Sequence, residues 1–229
     1  DSNAQQIADK VANWSSDNRV KLNDEKCKEL RISFARNQPD LQPIVVNGKE
    51  LKVVQSAKLL GITITSDLSW SDHIGKVIKK ASKCLYFLVQ LKRANLPSKD
   101  LVLLYTTCIR SILSYAVPVF HHALPKYLQK DLERVQKRAL SIIFPGLVYK
   151  MALEVAGIQT VLDYNESICD KMFKSISNNT SNKLWKLLPA TNKNNYTLRK
   201  NRRYAVPRWK TDRFKNTFIV TSCIKEETV

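Results

Sequence analysis

Apolar residues recur at helical spacing through the middle of the chain, beginning near Asp72. The first apolar stripe consists of Ile74, Ile78, Ala81, Leu85 and Leu88. On a helical wheel these positions fall within about 80°, which is typical of an amphipathic helix with one packed face. Lys76, Lys79 and Lys83 lie on the opposite face of the same helix. The pattern therefore predicts a helix with one buried side and one cationic side.

Two longer helices are predicted next. Ser98 is the expected N-cap of the first, which Pro118 interrupts or ends. Pro125 begins the other at a first-turn position, and Pro145-Gly146 ends it. The inward positions of this last helix are Leu128, Leu132, Val135, Ala139 and Ile142, and its outward lysines are Lys126, Lys130 and Lys137. Weaker helical patterns cover residues 149–156 and 161–177.

The pattern before residue 72 is mixed. Ile7, Val11 and Trp14 recur at helical spacing and predict an amphipathic helix over residues 3–18 that covers other parts of the fold. Residues 29–34 have strand composition, and Asn47-Gly48 between apolar runs is a strong hairpin signal because both residues tolerate positive φ. A further strand is expected within residues 58–65.

The elements together predict an α+β fold in three parts. Residues 1–70 would form a small antiparallel sheet with one helix, and residues 71–177 a mostly α-helical bundle. Residues 178–229 would form a basic, partly ordered linker and tail, with an Asn- and Ser-rich linker near residues 178–195.

The charge of the chain narrows the classes of partner. The formal net charge is +18 and the pI about 9.8, which favours binding along a polyanion with release of its counterions. Residues 171–215 carry 13 Lys or Arg residues and one acidic residue. Tyr196, Tyr204, Trp209 and Phe214 are interleaved with these cations, so the tail could stack on unpaired bases. The alternative is a solvated basic tail whose rings only dock it to the body of the protein.

Other sequence patterns disfavour a disulfide-bonded protein, a metal site and a membrane span. The five cysteines are scattered and unpaired in spacing, which fits a reducing, intracellular compartment. His121 and His122 have no partner at ligand spacing, so no metal site is expected. We find no apolar run near the ~20 residues needed to cross a bilayer and no signal peptide, so no membrane partner is expected.

A local cluster of Asp67, Ser69 and His73 contains the residue types of nucleophilic catalysis. Catalytic triads are usually assembled from separate loops, because the base must reach the nucleophile while the acid orients the base from behind. We therefore interpret the cluster as a turn and helix start, in which Ser71 or Asp72 accepts hydrogen bonds from the first helix N–H groups.

Several short motifs follow one another in a specific order. A helix with a tryptophan precedes Leu22-Asn23-x-x-Lys26, the Asn-Gly hairpin, KLLGITITSDLSWSDHI at residues 58–74, a lysine-rich helix and YAVPVF at residues 115–120. FPGxxYxxAL, LWKLLP and VPRWKTDRFKNTFI come later. In order and spacing they resemble the downstream half of the reverse transcriptase of LINE-type, non-LTR retrotransposons, over nearly the whole chain.

The resemblance implies roles for particular residues. Leu60, Gly61 and Ile62 correspond to the primer-grip region that closes the palm. Lys26 corresponds to a lysine of polymerase motif D that assists the leaving pyrophosphate, and the helices after residue 71 correspond to the thumb. The cations expected to bind nucleic acid are Lys76, Lys79, Lys83, Lys126, Lys130, Lys137, Arg199, Lys200, Arg202, Arg203, Arg208 and Lys210.

The sequence departs from this family in one respect. Polymerases hold two Mg²⁺ ions with paired carboxylates, and the sequence contains no Asp-Asp pair. The chain is therefore expected to be a fragment that lacks upstream palm and fingers, does not polymerise alone, and holds no cofactor, while the full-length enzyme uses Mg²⁺. Its expected partners are RNA and DNA as a template-primer duplex, in a cytoplasmic or nuclear ribonucleoprotein. The alternative is a catalytically dead helical interaction protein that self-associates.

Overall fold

The computed structural model describes residues 2–36, 41–191 and 203–226 of the 229-residue chain. The chain divides into two compact units, Asp1–His73 and Ile74–Val229. The first combines one helix with short strands, and the second is dominated by helices. The predicted α+β class is therefore confirmed.

The first unit is built from short elements. They are α1 (Ser2–Asp17), β1 (Lys28–Leu30), β2 (Val45–Val46), β3 (Lys49–Glu50), β4 (Lys52–Val54), β5 (Ser56–Leu59) and β6 (Ile62–Thr65). Among the described residues, β1 pairs with β4 in parallel, while β2–β3 and β5–β6 are antiparallel hairpins. The prediction of a single antiparallel sheet is thus wrong for the described residues, because the strands form three separate pairs, one of which is parallel.

Helix α1 confirms the predicted helix, but a different face of it packs. The large residues of the predicted stripe remain exposed: Ile7 is 55%, Val11 47% and Trp14 59% exposed. Ser15 is buried instead, and Gln5 pairs with both backbone groups of Val45 in β2, donating from Nε2 to the carbonyl at 2.8 Å and accepting from the amide at 2.9 Å. The prediction that the apolar stripe covers the fold is wrong for the described residues, because side-chain pairing to a strand edge, rather than hydrophobicity, orients the helix.

Two turns of the first unit need left-handed backbone. Asn47 and Gly48 have φ of 52° and 77°, which confirms the predicted Asn-Gly hairpin between β2 and β3. Leu60 and Gly61 have φ of 47° and 88°, so the segment predicted as one strand is the β5–β6 hairpin. Positive φ at both central residues is the geometry of a type I′ turn, which favours Asn rather than Leu at the first position.

Replacing Leu60 with asparagine should therefore stabilise the first unit. A leucine in left-handed backbone costs roughly 1 kcal/mol, and asparagine relieves most of that cost. We expect Leu60→Asn to raise the free energy of unfolding by about 0.5–1 kcal/mol in chemical denaturation. Leu59→Asn is the matched control, since Leu59 is also exposed (60%) but lies in β5. An equal effect of both substitutions would contradict the turn assignment.

Helices make up most of the second unit. Helix α2 (Ser71–Arg93) begins just before the boundary between the units, and it is followed by α3 (Ser98–Leu104), α4 (Ser111–Leu113), α5 (Lys126–Ile143), α6 (Tyr149–Ala156), α7 (Val161–Ser177), α8 (Asp212–Lys215) and α9 (Phe218–Lys225). The predicted inward residues Ile74, Ala81, Leu88, Leu132 and Ala139 have no exposed surface. The periodicity therefore predicted most of the packed faces of α2 and α5, whereas the predicted Ile78 and Ile142 are only half-buried and Ile143 is fully buried instead of Ile142.

The segment between α2 and α5 departs from a simple helix. Its N-cap is Pro97 rather than Ser98, and α3 continues into a π-helical segment, Tyr105–Arg110, before α4 ends at Leu113. Hydroxyls of Thr106 and Thr107 donate to carbonyls of the preceding turn, and such bonds compete with the regular helical ladder. The helix ends before Pro118, and Ala116 takes a left-handed φ of 54°.

The stretch Ser98–Val119 is long and apolar enough, by length and composition, to cross a membrane. It has 22 residues and a mean hydropathy of 1.4 in its most apolar window. The prediction that no apolar run approaches this length is therefore wrong. One stripe of the stretch, Leu101, Tyr105, Ile109 and Leu113, is fully buried within the second unit, as in a helix that packs on protein.

A polar network crosses the core of the second unit. Gln136 of α5 is fully buried, accepts from the Tyr105 hydroxyl at 2.6 Å, and donates to the Tyr149 hydroxyl at 2.8 Å and the Gln159 carbonyl at 3.0 Å. Glu133 accepts from the Tyr149 hydroxyl and, at 3.0 Å, from the backbone amide that begins α7. These bonds join the π-helical segment, α5, α6 and the start of α7.

The C-terminal segment contains regular elements where the structure describes it. Within residues 178–191 a 3-10 helix forms at Lys183–Leu187, and Thr191 makes a β-bridge with Tyr204. Phe173 of α7, Tyr204 and Cys223 of α9 form a buried cluster. The tail thus folds back on α7 over residues 203–226.

Candidate nucleic-acid interface

One face of α2 carries a line of exposed lysines. Lys76, Lys79, Lys80 and Lys83 are all exposed, three and four residues apart, opposite the buried stripe of the same helix. Residues three or four apart are neighbours on a helix surface, so the four ammonium groups lie on one side over about 10 Å of helix. We call these four residues the α2 lysine stripe. Lys80 extends the face that the sequence predicted.

The outward face of α5 is also cationic but partly compensated. Lys126, Lys130 and Lys137 are exposed, as predicted. The Lys137 ammonium lies 5.1 Å from the centre of the Tyr149 ring, and Arg134 pairs with Asp131 at 2.9 Å on the same helix. Some of the charges on the α5 face therefore already have partners within the unit.

The predicted cations of the tail fall into three groups. Arg208 and Lys210 are exposed, whereas Arg203 is half-buried and pairs with Glu226 at 3.6 Å. Arg199, Lys200 and Arg202 lie outside the described residues. The roles of all these cations in binding stay predictions.

The interleaved rings of the tail are less accessible than the sequence suggested. Tyr204 is only 3% exposed and packs edge-on against Phe173, so it cannot stack on a base without undocking. Trp209 is covered on one side by the Lys215 ammonium, which lies 5.6 Å from the ring centre, and Phe214 is 43% exposed. Tyr196 lies outside the described residues. Docking to the body explains Tyr204 better than base stacking.

The primer-grip-like residues lie at the tip of the β5–β6 hairpin. Leu60 is 84% exposed and Gly61 is exposed, while Ile62 is half-buried in β6. Lys26 is exposed at the end of a short 3-10 helix, Asp24–Lys26, in which the Asn23 side chain accepts from the Lys26 backbone amide at 3.1 Å. The Asn of the Leu-Asn-x-x-Lys motif is therefore a cap that fixes the local backbone around the lysine.

The candidate catalytic cluster is a structural turn. Asp67 accepts from the Thr65 hydroxyl at 2.6 Å and from the Ser69 amide at 3.0 Å, and these two bonds lower the pKa of its carboxyl. His73 is buried, and its Nδ1 accepts from the Thr63 amide at 3.3 Å. An Nδ1 that accepts from the backbone is not oriented by a carboxylate, as a triad requires. The interpretation as a turn and helix start is supported.

Sequence reasoning missed a partner for the adjacent histidines. Glu166 of α7 lies 2.9 Å from His121 Nε2 and 3.7 Å from His122 Nδ1. The three possible ligand atoms lie within 4.8 Å of one another, the one such grouping found in the described part of the chain. The expectation of no partner at ligand spacing is therefore wrong, because α7 supplies a partner that is distant in sequence.

The electrostatics of this grouping connect α9 to α7. Lys225 of α9 donates to the second oxygen of Glu166, so the carboxylate is already neutralised. Burial alone would raise the pKa of Glu166, but the Lys225 bond helps to lower it overall. Burial lowers the pKa of His121, and lowers that of His122 to about 4. The polymerase ion Mg²⁺ prefers several oxygen ligands, so one neutralised carboxylate and two imidazoles do not fit it.

Two exposed aromatic residues extend the α2 lysine stripe, and sequence reasoning did not select them. Tyr86 and Phe87 are 63% and 62% exposed, and they follow Lys83 by three and four residues. The sequence did contain a signal for them, because the three- and four-residue spacing of the lysines continues from Lys83 to Tyr86 and Phe87. The described residues thus define an α+β protein whose helical unit presents a cationic, partly aromatic face.

Comparisons with known proteins relate this chain to retroelements. The RNA-directed DNA polymerase from mobile element jockey of Drosophila melanogaster is 26% identical over 133 residues, which are 56% of this chain and 14% of that protein. A family described as alkylated DNA repair protein alkB homolog 8, N-terminal, matches residues 70–111. No solved structure matches the chain significantly. The chain is thus similar to part of a LINE-type reverse transcriptase, in agreement with the origin that its motifs indicate.

Proposed function

We propose that the chain is the palm remnant, thumb and C-terminal region of a non-LTR retrotransposon reverse transcriptase, and that it binds template-primer duplex or element RNA. The observation that carries the proposal is the α2 lysine stripe, in which Lys76, Lys79, Lys80 and Lys83 lie exposed opposite a buried face. The net charge of +18 and the similarity to the jockey polymerase support it.

The proposed binding is electrostatic and largely independent of base sequence. Ammonium groups on a helix face contact phosphates, and phosphate contacts position a protein on a duplex without reading its bases. Each neutralised phosphate releases condensed counterions, so affinity falls steeply with salt. The lysines and arginines of α5 and the tail would add to the same field.

Polymerisation is not proposed for this chain alone. Its sequence lacks an Asp-Asp pair, so the carboxylates that hold Mg²⁺ would come from the upstream palm. Lys26 would then have a supporting role near the leaving pyrophosphate, for which a cation close to developing phosphate charge is suited.

A second candidate function rests on the exposed apolar stripe of α1. Ile7, Val11 and Trp14 would favour protein contacts or self-association, as in a catalytically dead interaction protein derived from a retroelement. Substitution of the α2 lysines would not weaken contacts made through α1, which separates the two candidates.

The test is a charge-matched pair of triple variants. Lys76→Ala, Lys79→Ala and Lys83→Ala together should weaken binding of the chain to a labelled RNA–DNA hybrid duplex at least tenfold at low salt. The slope of log affinity against log salt should fall by about 2–3, since each phosphate contact contributes roughly 0.9. The control removes the same charge from other elements, at exposed Lys99, Lys150 and Lys171. An unchanged slope, or equal losses in both triple variants, would overturn the proposal.

A further inference from the structure

Two aromatic rings are exposed on the polar side of α2. Tyr86 and Phe87 each leave more than half of their surface in solvent, at 63% and 62%. Their ring centres are 5.7 Å apart and their planes meet at 75°, so the rings contact each other edge-on. Large rings side by side on the cationic side of a helix are not explained by packing within the unit.

The rings continue the α2 lysine stripe along the helix. Tyr86 and Phe87 follow Lys83 at the three- and four-residue spacing that already joins Lys76, Lys79 and Lys83. With 1.5 Å of rise per residue, the rings lie about 5 Å beyond Lys83 along the helix axis. A polyanion held by the lysines would therefore bring its next groups over the rings.

A groove beside Tyr86 adds polar groups to this surface. It has a volume of about 250 Å³ and runs between α2 and α5. The groove is lined by the apolar side chains of Leu85, Val89 and Ile142 beside the Tyr86 ring. Its polar lining comes from Ser82, Gln90, Arg93 and Arg138. Amide, hydroxyl and guanidinium groups beside a planar ring can bond to a base edge or a phosphate while the ring takes the face of a base.

We propose that Tyr86 and Phe87 form a stacking platform for unpaired nucleobases, so that α2 binds the junction where a duplex ends and a single strand begins. The lysines would hold the phosphates of the duplex, and the rings would hold the first unpaired bases. A nucleic acid fits better than an apolar partner, because an apolar partner would have to desolvate the cations next to the rings, Lys83, Arg93 and Arg138. This inference deepens the proposed function and rests on it.

The experiment measures the binding of two ligands to the native chain and to variants in which both rings are replaced. Binding of the chain to a blunt RNA–DNA hybrid and to the same hybrid with a short single-stranded extension is measured for the native chain and for Tyr86→Leu with Phe87→Leu. We expect the native chain to prefer the extended ligand roughly tenfold, because each stacked base contributes appreciably to binding. The leucine variant should lose this preference and keep its affinity for the blunt hybrid. Tyr86→Trp with Phe87→Trp should retain the preference.

Several controls keep the outcomes distinct. Tyr115→Leu changes another exposed ring (54%) and should have no effect on the preference. An extension preference that survives in the leucine variant, or an equal loss for both ligands, overturns the platform. Self-association of the native chain would also overturn the platform if the leucine variant keeps it and Tyr86→Ala with Phe87→Ala abolishes it, because this result indicates a protein contact through the two side chains. If the triple lysine variant binds normally, the proposed function itself is overturned. If only the leucine variant gives the unexpected result and keeps the extension preference, the stacking platform is overturned and the proposed function stands.

Discussion

Substitution of Gln136 with leucine is expected to lower the free energy of unfolding of the second unit by about 3–4 kcal/mol. Leucine approximates the size of the amide side chain, so the loss would come from polar groups rather than from a cavity. The substitution removes three hydrogen bonds, each of which contributes roughly 0.5–1.5 kcal/mol, and it leaves the Tyr105 hydroxyl without this partner in the core. The Gln159 carbonyl still accepts from Arg110 Nη2 at 3.1 Å. Each buried group left unsatisfied costs roughly 1–3 kcal/mol.

A double-mutant cycle distinguishes this network from general damage to the core. Tyr105→Phe removes only the hydroxyl that donates a hydrogen bond to Gln136. This substitution alone is expected to lower the free energy of unfolding by about 1 kcal/mol or more. In the double variant the two losses should be less than additive, because each substitution removes the other's partner. Chemical denaturation of the four proteins gives the coupling. Additive losses would show that the two side chains do not act as one unit.

Residues such as Gln136 show which part of the fold the sequence does not reveal. Local periodicity predicted α2, α5, α6 and α7, because a packed face of a helix repeats every three to four residues and needs no knowledge of its partner. Gln136 also lies on the inward side of α5, but its buried position depends on Tyr105, Tyr149 and Gln159. Those partners are distant in the chain, and nothing in the local pattern identifies them.

The first unit illustrates the opposite failure. Ile7, Val11 and Trp14 have the right spacing for a packed stripe, yet the described fold leaves them exposed. An amphipathic pattern predicts that one face of a helix is apolar, but it does not show whether another part of the same chain covers that face. Gln5, a polar residue without a pattern, makes the pair of bonds that fixes α1 to β2.

Only the part of the candidate interface that depends on local spacing was predicted from the sequence. Lysine spacing on α2 is local, so Lys76, Lys79 and Lys83 could be placed on one face from the sequence. Whether a ring is free to stack depends on tertiary packing. Tyr204, selected for its basic surroundings, is buried against Phe173, whereas Tyr86 and Phe87, which were not selected, are exposed.

Mild acid is expected to destabilise the second unit through the contacts of His121, His122 and Glu166. Burial holds the pKa of both imidazoles below the ordinary value of 6.5, that of His122 at about 4, so both are neutral in the fold at pH 7. Below pH 6.5 the unfolded chain takes up protons that the folded chain does not, and stability therefore falls from pH 6.5 towards pH 4. The lowered pKa of Glu166 acts in the same direction, since its contribution is lost as the pH falls below about 4.5.

The position of these groups makes the acid effect specific to the C-terminal segment. Lys225 of α9 bonds to Glu166, and the His122 ring stacks on Phe218 of the same helix with ring centres 6.3 Å apart. Once α9 is undocked, the imidazoles are solvated and take up protons near their ordinary pKa of 6.5. Mild acid therefore favours the undocked state, and α9 should detach from α7 before the rest of the unit unfolds. Amide hydrogen exchange across Phe218–Lys225 at pH 7 and at pH 5 would detect that detachment.

A histidine-free version of the contact gives the decisive comparison. His121→Gln with His122→Gln keeps a hydrogen-bond donor near Glu166 but removes the titration. The free energy of unfolding of the native second unit should fall by on the order of 2 kcal/mol between pH 7 and pH 4.5, and the double variant should show a clearly flatter profile. His73→Gln is the matched control, because this histidine belongs to the first unit and should leave the slope of the second unit unchanged. If the native protein and the double variant lose stability in parallel, the carboxylates alone account for acid unfolding, and the buried imidazoles do not couple α9 to pH.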